Sequence, residues 1–193
     1  MTTEATKRRP IHVLGFAGSL RRASFNRSAL RASGEMLPEG MTLEIFDLAE
    51  IPLYNGDVEA QGFPEGVVRF KERVAAADAL LISTPEYNYS IPGVLKNAID
   101  WMSRPADTMP CSGKPIAIMG AAMGMLGTAR AQFALRQVCV FTNMLPLNRP
   151  EVLIPRAHEK FDADGRLTDE DSRRHIRKLL EALEAWTRQI RGE

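Results

Sequence analysis

The chain alternates five short apolar segments with segments of helical spacing, and this alternation restricts the possible folds more than any other feature. The apolar segments lie at residues 11–17, 42–46, 79–83, 115–120 and 151–154. Each is nearly continuous in apolar residues, as expected of strands that are buried on both faces. Strands that alternate with helices in this way indicate a parallel sheet with helices packed on both sides.

The intervening segments place their apolar residues on one side of a helix. Residues 28–37, 65–77, 93–102 and 128–141 have this spacing, and the last helix of the chain has the clearest pattern. Its stripe comprises Ile176, Leu179, Leu180, Leu183, Trp186 and Ile190. We therefore predict an α/β fold of three layers, a five-stranded parallel sheet of order 2-1-3-4-5 with helices on both faces.

Composition limits both the domain organisation and the classes of partner. The 193 residues contain no repeat and no linker, so we expect one domain at 11–193 after a flexible N-terminal tail at 1–10. A formal net charge of +1 would attract neither nucleic acid nor an anionic membrane. No apolar run approaches the roughly 18 residues of a transmembrane helix. Two cysteines and isolated histidines predict no metal site and a cytoplasmic location.

The loop after the first predicted strand has the composition of an anion site. In a sheet of this order, ligands bind beside the loops after strands 1 and 3. Residues 17–26 read AGSLRRASFN, with a glycine for a tight turn, polar side chains and two arginines. A helix from about Phe25 would add free N–H groups, which together predict a phosphate site. The alternative is a polar loop in which Ser24 or Asn26 only caps the helix.

The same loop excludes two kinds of phosphate chemistry. It lacks the Gly-Lys-Ser/Thr ending of a loop that binds and hydrolyses nucleoside triphosphates. It also contains no cysteine that could attack a phosphate as a thiolate. We therefore expect a phosphate to be held in this loop without being attacked.

The loop after the third predicted strand is rigid and aromatic. Residues 84–101 read TPEYNYSIPGVLKNAIDW, in which two prolines and a glycine restrict the backbone. Tyr87 and Tyr89 supply flat surfaces, and Ser90 is the expected cap of the following helix. We expect backbone N–H groups around 86–90 to be free for the edge of a planar ring. The alternative is a capped turn with ordinary aromatic packing.

These two loops together resemble the NADPH-dependent FMN reductase family, and especially its chromate- and quinone-reducing branch. The likeness continues in IPLYNGD at 51–57, GKPIAIMGAAMG at 113–124 and LRQV at 135–138. It covers most of residues 11–155. It implies that the predicted sheet is the flavodoxin-like three-layer sandwich.

The resemblance also implies which residues would bind FMN. Those around its phosphate would be Gly18, Ser19, Arg21, Ser24, Phe25 and Asn26. Those along its isoalloxazine ring would be Pro85, Glu86, Tyr87, Asn88 and Tyr89. Backbone groups of Met123 and Gly124 would also contact the flavin, although Ala121 and Ala122 stand where the family often has hydroxyl residues. Arg21 is favoured over Arg22 because family members vary at the second position.

The function that the resemblance implies is electron transfer from NADPH or NADH, through bound FMN, to quinones, chromate or similar small-molecule acceptors. The mechanism would be ping-pong, with the chemistry at flavin N5 and no catalytic side chain. The resemblance further implies a homodimer or homotetramer. Two alternatives stay open: a flavodoxin-type electron carrier, and a flavin-binding redox regulator without significant turnover.

Overall fold

A single parallel sheet forms the centre of the molecule in the computed structural model, which describes residues 9–193. Its strands are β1 (Ile11–Ala17), β2 (Met41–Phe46), β3 (Ala79–Ser83), β4 (Pro115–Ala121), β5 (Leu145–Pro146) and β6 (Val152–Ile154). They run in the order β2-β1-β3-β4-β5, and β6 also pairs with β4. Every pairing is parallel. The predicted order is confirmed.

The fifth position of the sheet is divided into two short strands, where the sequence predicted one strand at 151–154. Leu145 of β5 lies opposite Pro115 at the start of β4, and Val152 of β6 lies opposite Met119 near its end. The chain between β5 and β6 leaves the sheet and contains Pro150. A proline has no N–H to donate to the ladder, which favours an interruption of the strand in this segment.

Helices cover both faces of the sheet. They are α1 (Phe25–Ser33), α2 (Gly56–Gln61), α3 (Glu65–Ala76), α4 (Gly93–Met102), α5 (Ala129–Thr142) and α6 (Glu170–Arg191). Buried residues of α1 and α6 form one apolar layer with the sheet. Buried residues of α3, α4 and α5 form the other. The flavodoxin-like three-layer architecture is therefore confirmed.

Some element boundaries differ from those predicted. The first helix begins at Phe25, as predicted, but ends at Ser33 rather than near residue 37, and Gly34 donates to the carbonyl groups of the last turn. The segment 48–62, where the sequence shows no helical spacing, contains a 3-10 turn at Leu48–Glu50 as well as α2. Both are short polar segments with little apolar periodicity, so the sequence pattern does not predict them.

Residue 9, at the start of the described chain, contacts the folded domain. Most of the tail predicted at 1–10 lies outside the described residues, but the guanidinium of Arg9 lies 3.4 Å from the carboxylate of Asp78. Over residues 9–193, none of the helices combines the length and apolarity that crossing a membrane requires. The same part of the chain contains no group of three or more metal-ligating side chains.

Close packing at Gly120 brings the loops after β3 and β4 together. A Cβ atom at this position would lie 1.9 Å from the hydroxyl of Thr128 and 2.5 Å from the carbonyl oxygen of Thr84. Both distances are too short for a side chain, so only glycine allows β4 to pass this close. The carboxyl ends of β1, β3 and β4 therefore open onto a common region.

Candidate active site

A cleft of about 220 Å3 lies at the carboxyl ends of β1, β3 and β4. Most of the residues that the sequence analysis assigns to the cofactor line it: Ser19, Arg21, Ser24, Phe25, Asn26, Pro85, Glu86, Tyr87 and Met123. Gly18, Asn88, Tyr89 and Gly124 belong to the same loops but are not part of the lining. Folding thus brings the two predicted motifs to one site.

The loop after β1 presents hydrogen-bond donors to this cleft. The hydroxyl of Ser24 caps α1 by accepting from the N–H of Arg27 at 3.4 Å. Phe25 and Asn26 begin the helix, so their N–H groups have no intrahelical acceptor. Arg21 lies at the same end of the helix with an exposed side chain. Hydroxyl, backbone N–H and guanidinium donors at a helix N-terminus fit a phosphate dianion.

Asn26 uses its side chain within the fold. Its Nδ2 donates to the carbonyl of Ala121 at 2.8 Å, and its Oδ1 accepts from the N–H of Ala121 at 2.9 Å. The same oxygen accepts from the Ser83 hydroxyl at 3.1 Å. The Oδ1 atom and one Nδ2 hydrogen are therefore used in joining the loop after β1 to β3 and β4, which fixes the Asn26 side chain within the fold.

The loop after β3 forms a tight turn that satisfies its own backbone groups. Tyr87 and Ser90 exchange two backbone hydrogen bonds of 3.0 Å. Between them, Asn88 and Tyr89 have φ angles of 50° and 68°, as the central residues of a type I′ turn require. The prediction of free N–H groups around 86–90 is therefore wrong for Tyr87 and Ser90.

Ser90 also does not cap the following helix. α4 begins at Gly93, and Pro92 stands at the cap position without a side-chain hydrogen bond. The backbone of Ser90 is held in the turn with Tyr87, two residues away from that position. The prediction of a Ser90 cap is wrong, because the local motif that favours a cap also favours this turn.

Glu86 anchors the loop after β3 to α5. Its carboxylate accepts from the N–H groups of Arg130 at 3.0 Å and of Ala131 at 3.2 Å, and it pairs with the Arg130 guanidinium. Thr128, which precedes α5, makes no side-chain cap. The Glu86 side chain is only 7% exposed. Glu86 therefore replaces the missing cap, a contact between residues distant in sequence.

An apolar rim surrounds the open side of the cleft. Met123 is 63% exposed, and Tyr87 and Tyr89 are 48% and 72% exposed. The guanidinium of Arg130 lies 3.6 Å from the centre of the Tyr89 ring, which fixes that ring by a cation–π contact. Met123 is thus a surface residue at the rim. Exposed apolar and aromatic side chains of this kind suit a flat ligand.

The lining also includes Ala121 and Ala122, which the predicted set of contacts omits. Ala121 ends β4 and is held by Asn26 through both of its backbone groups. Small residues directly after a buried strand let a ligand approach the backbone closely. This pattern is the sequence signal that could have included the two alanines.

Neither cysteine belongs to the site. Both lie in the apolar layer against α3, α4 and α5. Burial raises the pKa of the Cys111 thiol to about 11 and that of the Cys139 thiol to about 12. A thiol with such a pKa is not a nucleophile at neutral pH.

Comparison with known proteins decides the family. Residues 11–159 match the family described as NADPH-dependent FMN reductase. This chain belongs to that family. It is 56% identical to an NAD(P)H-dependent FMN reductase of Pseudomonas aeruginosa over 182 residues, which cover 94% of this chain and 98% of that protein. The family predicted from the two loops is confirmed, as is its FMN and NAD(P)H cofactor class.

Other similar proteins include a quinone reductase and a further NAD(P)H oxidoreductase. A 2-hydroxy-1,4-benzoquinone reductase of a Burkholderia species is 42% identical, over 90% of this chain and 94% of that protein. Among solved structures, the flavoenzyme NAD(P)H:(acceptor) oxidoreductase FerB of Paracoccus denitrificans matches with a TM-score of 0.84 and 34% identity. That alignment covers 93% of this chain and 98% of FerB.

Proposed function

We propose that this protein is an FMN-dependent NAD(P)H oxidoreductase that reduces quinones. The observation that carries the proposal is one cleft in which the N-terminus of α1, with its free N–H groups, meets an exposed aromatic rim. An FMN molecule needs both features, because it joins a phosphate to a flat ring system. The quinone reductases among the relatives support the acceptor class.

Each part of the cleft has a distinct task in this proposal. The hydroxyl groups of Ser19 and Ser24, the first N–H groups of α1 and the Arg21 guanidinium would hold the phosphate. The turn Tyr87–Ser90 and Met123 would support the ring. When bound, FMN supplies the chemistry, accepting a hydride from NAD(P)H and delivering electrons to the acceptor.

No side chain of the cleft has to act as a catalytic acid or base in this proposal. Glu86 is the carboxylate of the lining, and its oxygens are occupied by Arg130 and by the N-terminus of α5. It therefore positions the loop after β3 rather than exchanging protons. The remaining contacts hold and orient the ligand and shield part of it from water.

The open side of the cleft favours a ping-pong mechanism and several acceptors. Nicotinamide and quinone would have to occupy the same exposed rim in turn, so the first product leaves before the acceptor binds. Chromate would accept electrons at the same place.

Residues 11–193 form a single domain in this proposal, and its location is the cytoplasm. The two buried free thiols are compatible with such a reducing compartment.

We further propose that the chain forms a homodimer or homotetramer through α5. This helix exposes Phe133, Val140 and Phe141 by 63%, 82% and 74%. Large apolar side chains that cluster on an exposed helix are typical of an interaction surface. Multi-angle light scattering should give a mass of two or four chains, and Phe141→Lys should lower it; a wild-type monomer would contradict the proposal.

The proposed activity is tested with the purified protein and a simple quinone. We expect a flavin absorption spectrum, or uptake of added FMN, and steady NADPH oxidation once 1,4-benzoquinone is added. Stable flavin without turnover would instead support a carrier or a redox regulator. A protein that neither contains nor takes up FMN would contradict the proposal.

Two kinetic measurements test the ping-pong mechanism and the use of chromate as an acceptor. Double-reciprocal plots at several fixed quinone concentrations should be parallel, because a ping-pong mechanism separates the two half-reactions. Intersecting lines would show that NADPH and quinone bind together. Chromate should replace the quinone as acceptor in the same assay, and a complete lack of chromate-dependent oxidation would restrict the enzyme to organic acceptors.

A further inference from the structure

Most of the apolar side chains that line the cleft cannot change their shape. Pro85 is fixed by its own ring, and Ala121 and Ala122 have no side-chain torsions to adjust. Phe25 packs against Phe161, with 5.2 Å between the ring centres. The apolar part of the lining is therefore largely rigid.

Met123 is the flexible member of this lining. Its unbranched side chain has three rotatable bonds and a polarisable thioether, and it is 63% exposed. Tyr87, the remaining aromatic residue of the lining, has two side-chain torsions and lies in the turn that is closed by hydrogen bonds to Ser90. Methionine side chains are common on surfaces that bind several different ligands, because they adapt to each shape.

The backbone on both sides of Met123 is fixed. Ala122 bonds through its N–H and its carbonyl, and Gly124 bonds through its carbonyl, to the backbone of residues 154–157 at distances of 3.0 to 3.2 Å. Gly124 itself borders open space, since a Cβ there would have no neighbour within 4 Å. The loop after β4 therefore presents a mobile side chain from a fixed backbone position.

Exposure of this kind is unusual among the methionines of residues 9–193. Five of them are at most 6% exposed: Met36, Met41, Met102, Met119 and Met144. Met125, in the same loop, is 71% exposed but is not part of the lining of the cleft. Met123 thus combines exposure with a place in the cleft, and Met125 provides a comparison for it.

We propose that Met123 determines which electron acceptors the cleft can hold, and that its flexible side chain admits quinones of one ring and of two fused rings. A second fused ring needs more room than a single ring. Because the other apolar residues of the lining are rigid, the Met123 side chain makes that room by changing rotamer. The inference rests on the proposed function, since it concerns the quinone that the bound flavin would reduce.

Met123→Ile tests the need for flexibility with the FMN-loaded protein. Isoleucine is also apolar and similar in volume, but its branched Cβ restricts the first side-chain torsion. The ratio of kcat/KM for 1,4-naphthoquinone to that for 1,4-benzoquinone should fall on the order of tenfold, as for a misfit of about one methylene group. Comparing this ratio between proteins cancels the difference in reduction potential between the two quinones.

Two further variants separate flexibility from other effects. Met123→Leu removes the sulfur without branching at Cβ, so the ratio should fall by less than about threefold. Met125→Ile is the matched control, because Met125 is similarly exposed in the same loop but does not line the cleft. This control should leave the ratio unchanged.

A binding measurement without turnover complements the kinetics. The redox-inactive analogues 1,4-dimethoxybenzene and 1,4-dimethoxynaphthalene are titrated into the FMN-loaded protein, and the absorption spectrum of the flavin reports their binding. Met123→Ile should weaken binding of the two-ring analogue on the order of tenfold relative to the one-ring analogue. The flavin content of each protein is measured in parallel, so that the dissociation constants refer to loaded sites.

Three outcomes would overturn the inference. One is an unchanged ratio in Met123→Ile, in the kinetics or in the titration, which would make Met123 a passive part of the rim. Another is an equal fall in Met123→Leu, which would assign the effect to the sulfur. The third is an equal fall in Met125→Ile, which would show a general effect on the loop. A wild-type protein that binds FMN but reduces neither quinone would instead remove the proposed function, and the titration would still test Met123.

Discussion

The loops after β1 and β3 border the same cleft, yet they use their polar groups in opposite ways. The loop after β1 leaves the N–H groups of Phe25 and Asn26 without intrahelical acceptors. The loop after β3 bonds to itself through Tyr87 and Ser90 and to α5 through Glu86. One loop therefore offers hydrogen bonds to a ligand, and the other offers a fixed shape. Substitutions should separate these roles, the first lowering affinity and the second lowering stability.

Asn26 is the exception within the loop after β1, and it should give the largest effect. Asn26→Ala removes three buried hydrogen bonds and leaves both backbone groups of Ala121 unpaired. We expect the free energy of unfolding to fall by about 3 kcal/mol. Urea denaturation measures this, with the exposed Asn148→Ala as the control. A loss no larger than that of the control would show that the tether is unimportant.

Glu86 tests the fixed shape of the loop after β3. Glu86→Gln keeps the size of the side chain but removes the charge that pairs with Arg130 and with the N-terminus of α5. We expect a loss of about 2 kcal/mol in the free energy of unfolding. Glu65→Gln provides the comparison, because it breaks an exposed pair with Arg69 that should contribute less than about 0.5 kcal/mol. Similar losses in the two variants would contradict the anchoring role.

Arg21 tests the ligand-facing role of the loop after β1. Arg21→Ala removes an exposed guanidinium, so the free energy of unfolding without FMN should change by less than about 0.5 kcal/mol. The dissociation constant for FMN should rise about tenfold, and the difference should shrink at high salt. Arg22→Ala, its neighbour, should leave FMN affinity nearly unchanged. Equal effects at both positions would show general electrostatic attraction instead of a specific contact.

The comparison of the two loops also separates what can be predicted from sequence. Buried strands and amphipathic helices have local patterns, so most of these elements follow from apolar spacing. The strand order follows from the doubly wound topology that their alternation favours. The composition of 17–26 and 84–101 likewise indicates the cleft, because loops after β1 and β3 must meet in this topology. The division of the fifth sheet position into β5 and β6 was not predicted, because Leu145–Pro146 is too short to form an apolar pattern.

The roles of individual polar side chains were harder to predict, because their partners are distant in sequence. The amide of Asn26 bonds to Ala121, 95 residues away, and Glu86 caps a helix 44 residues away. No local motif indicates either contact. Ser90 shows the converse, since a sequence typical of a helix cap forms a turn instead. A resemblance can therefore place a residue at a site without showing whether its side chain is free to bind.

The most direct test of the account compares FMN with riboflavin, because these ligands differ only in the phosphate. If the loop after β1 binds that phosphate, FMN should bind at least about 100-fold more tightly than riboflavin, as expected for two or more charge-assisted hydrogen bonds. Flavin fluorescence titration measures both dissociation constants with the same protein. Equal affinities for the two flavins would contradict the phosphate site on which the account depends.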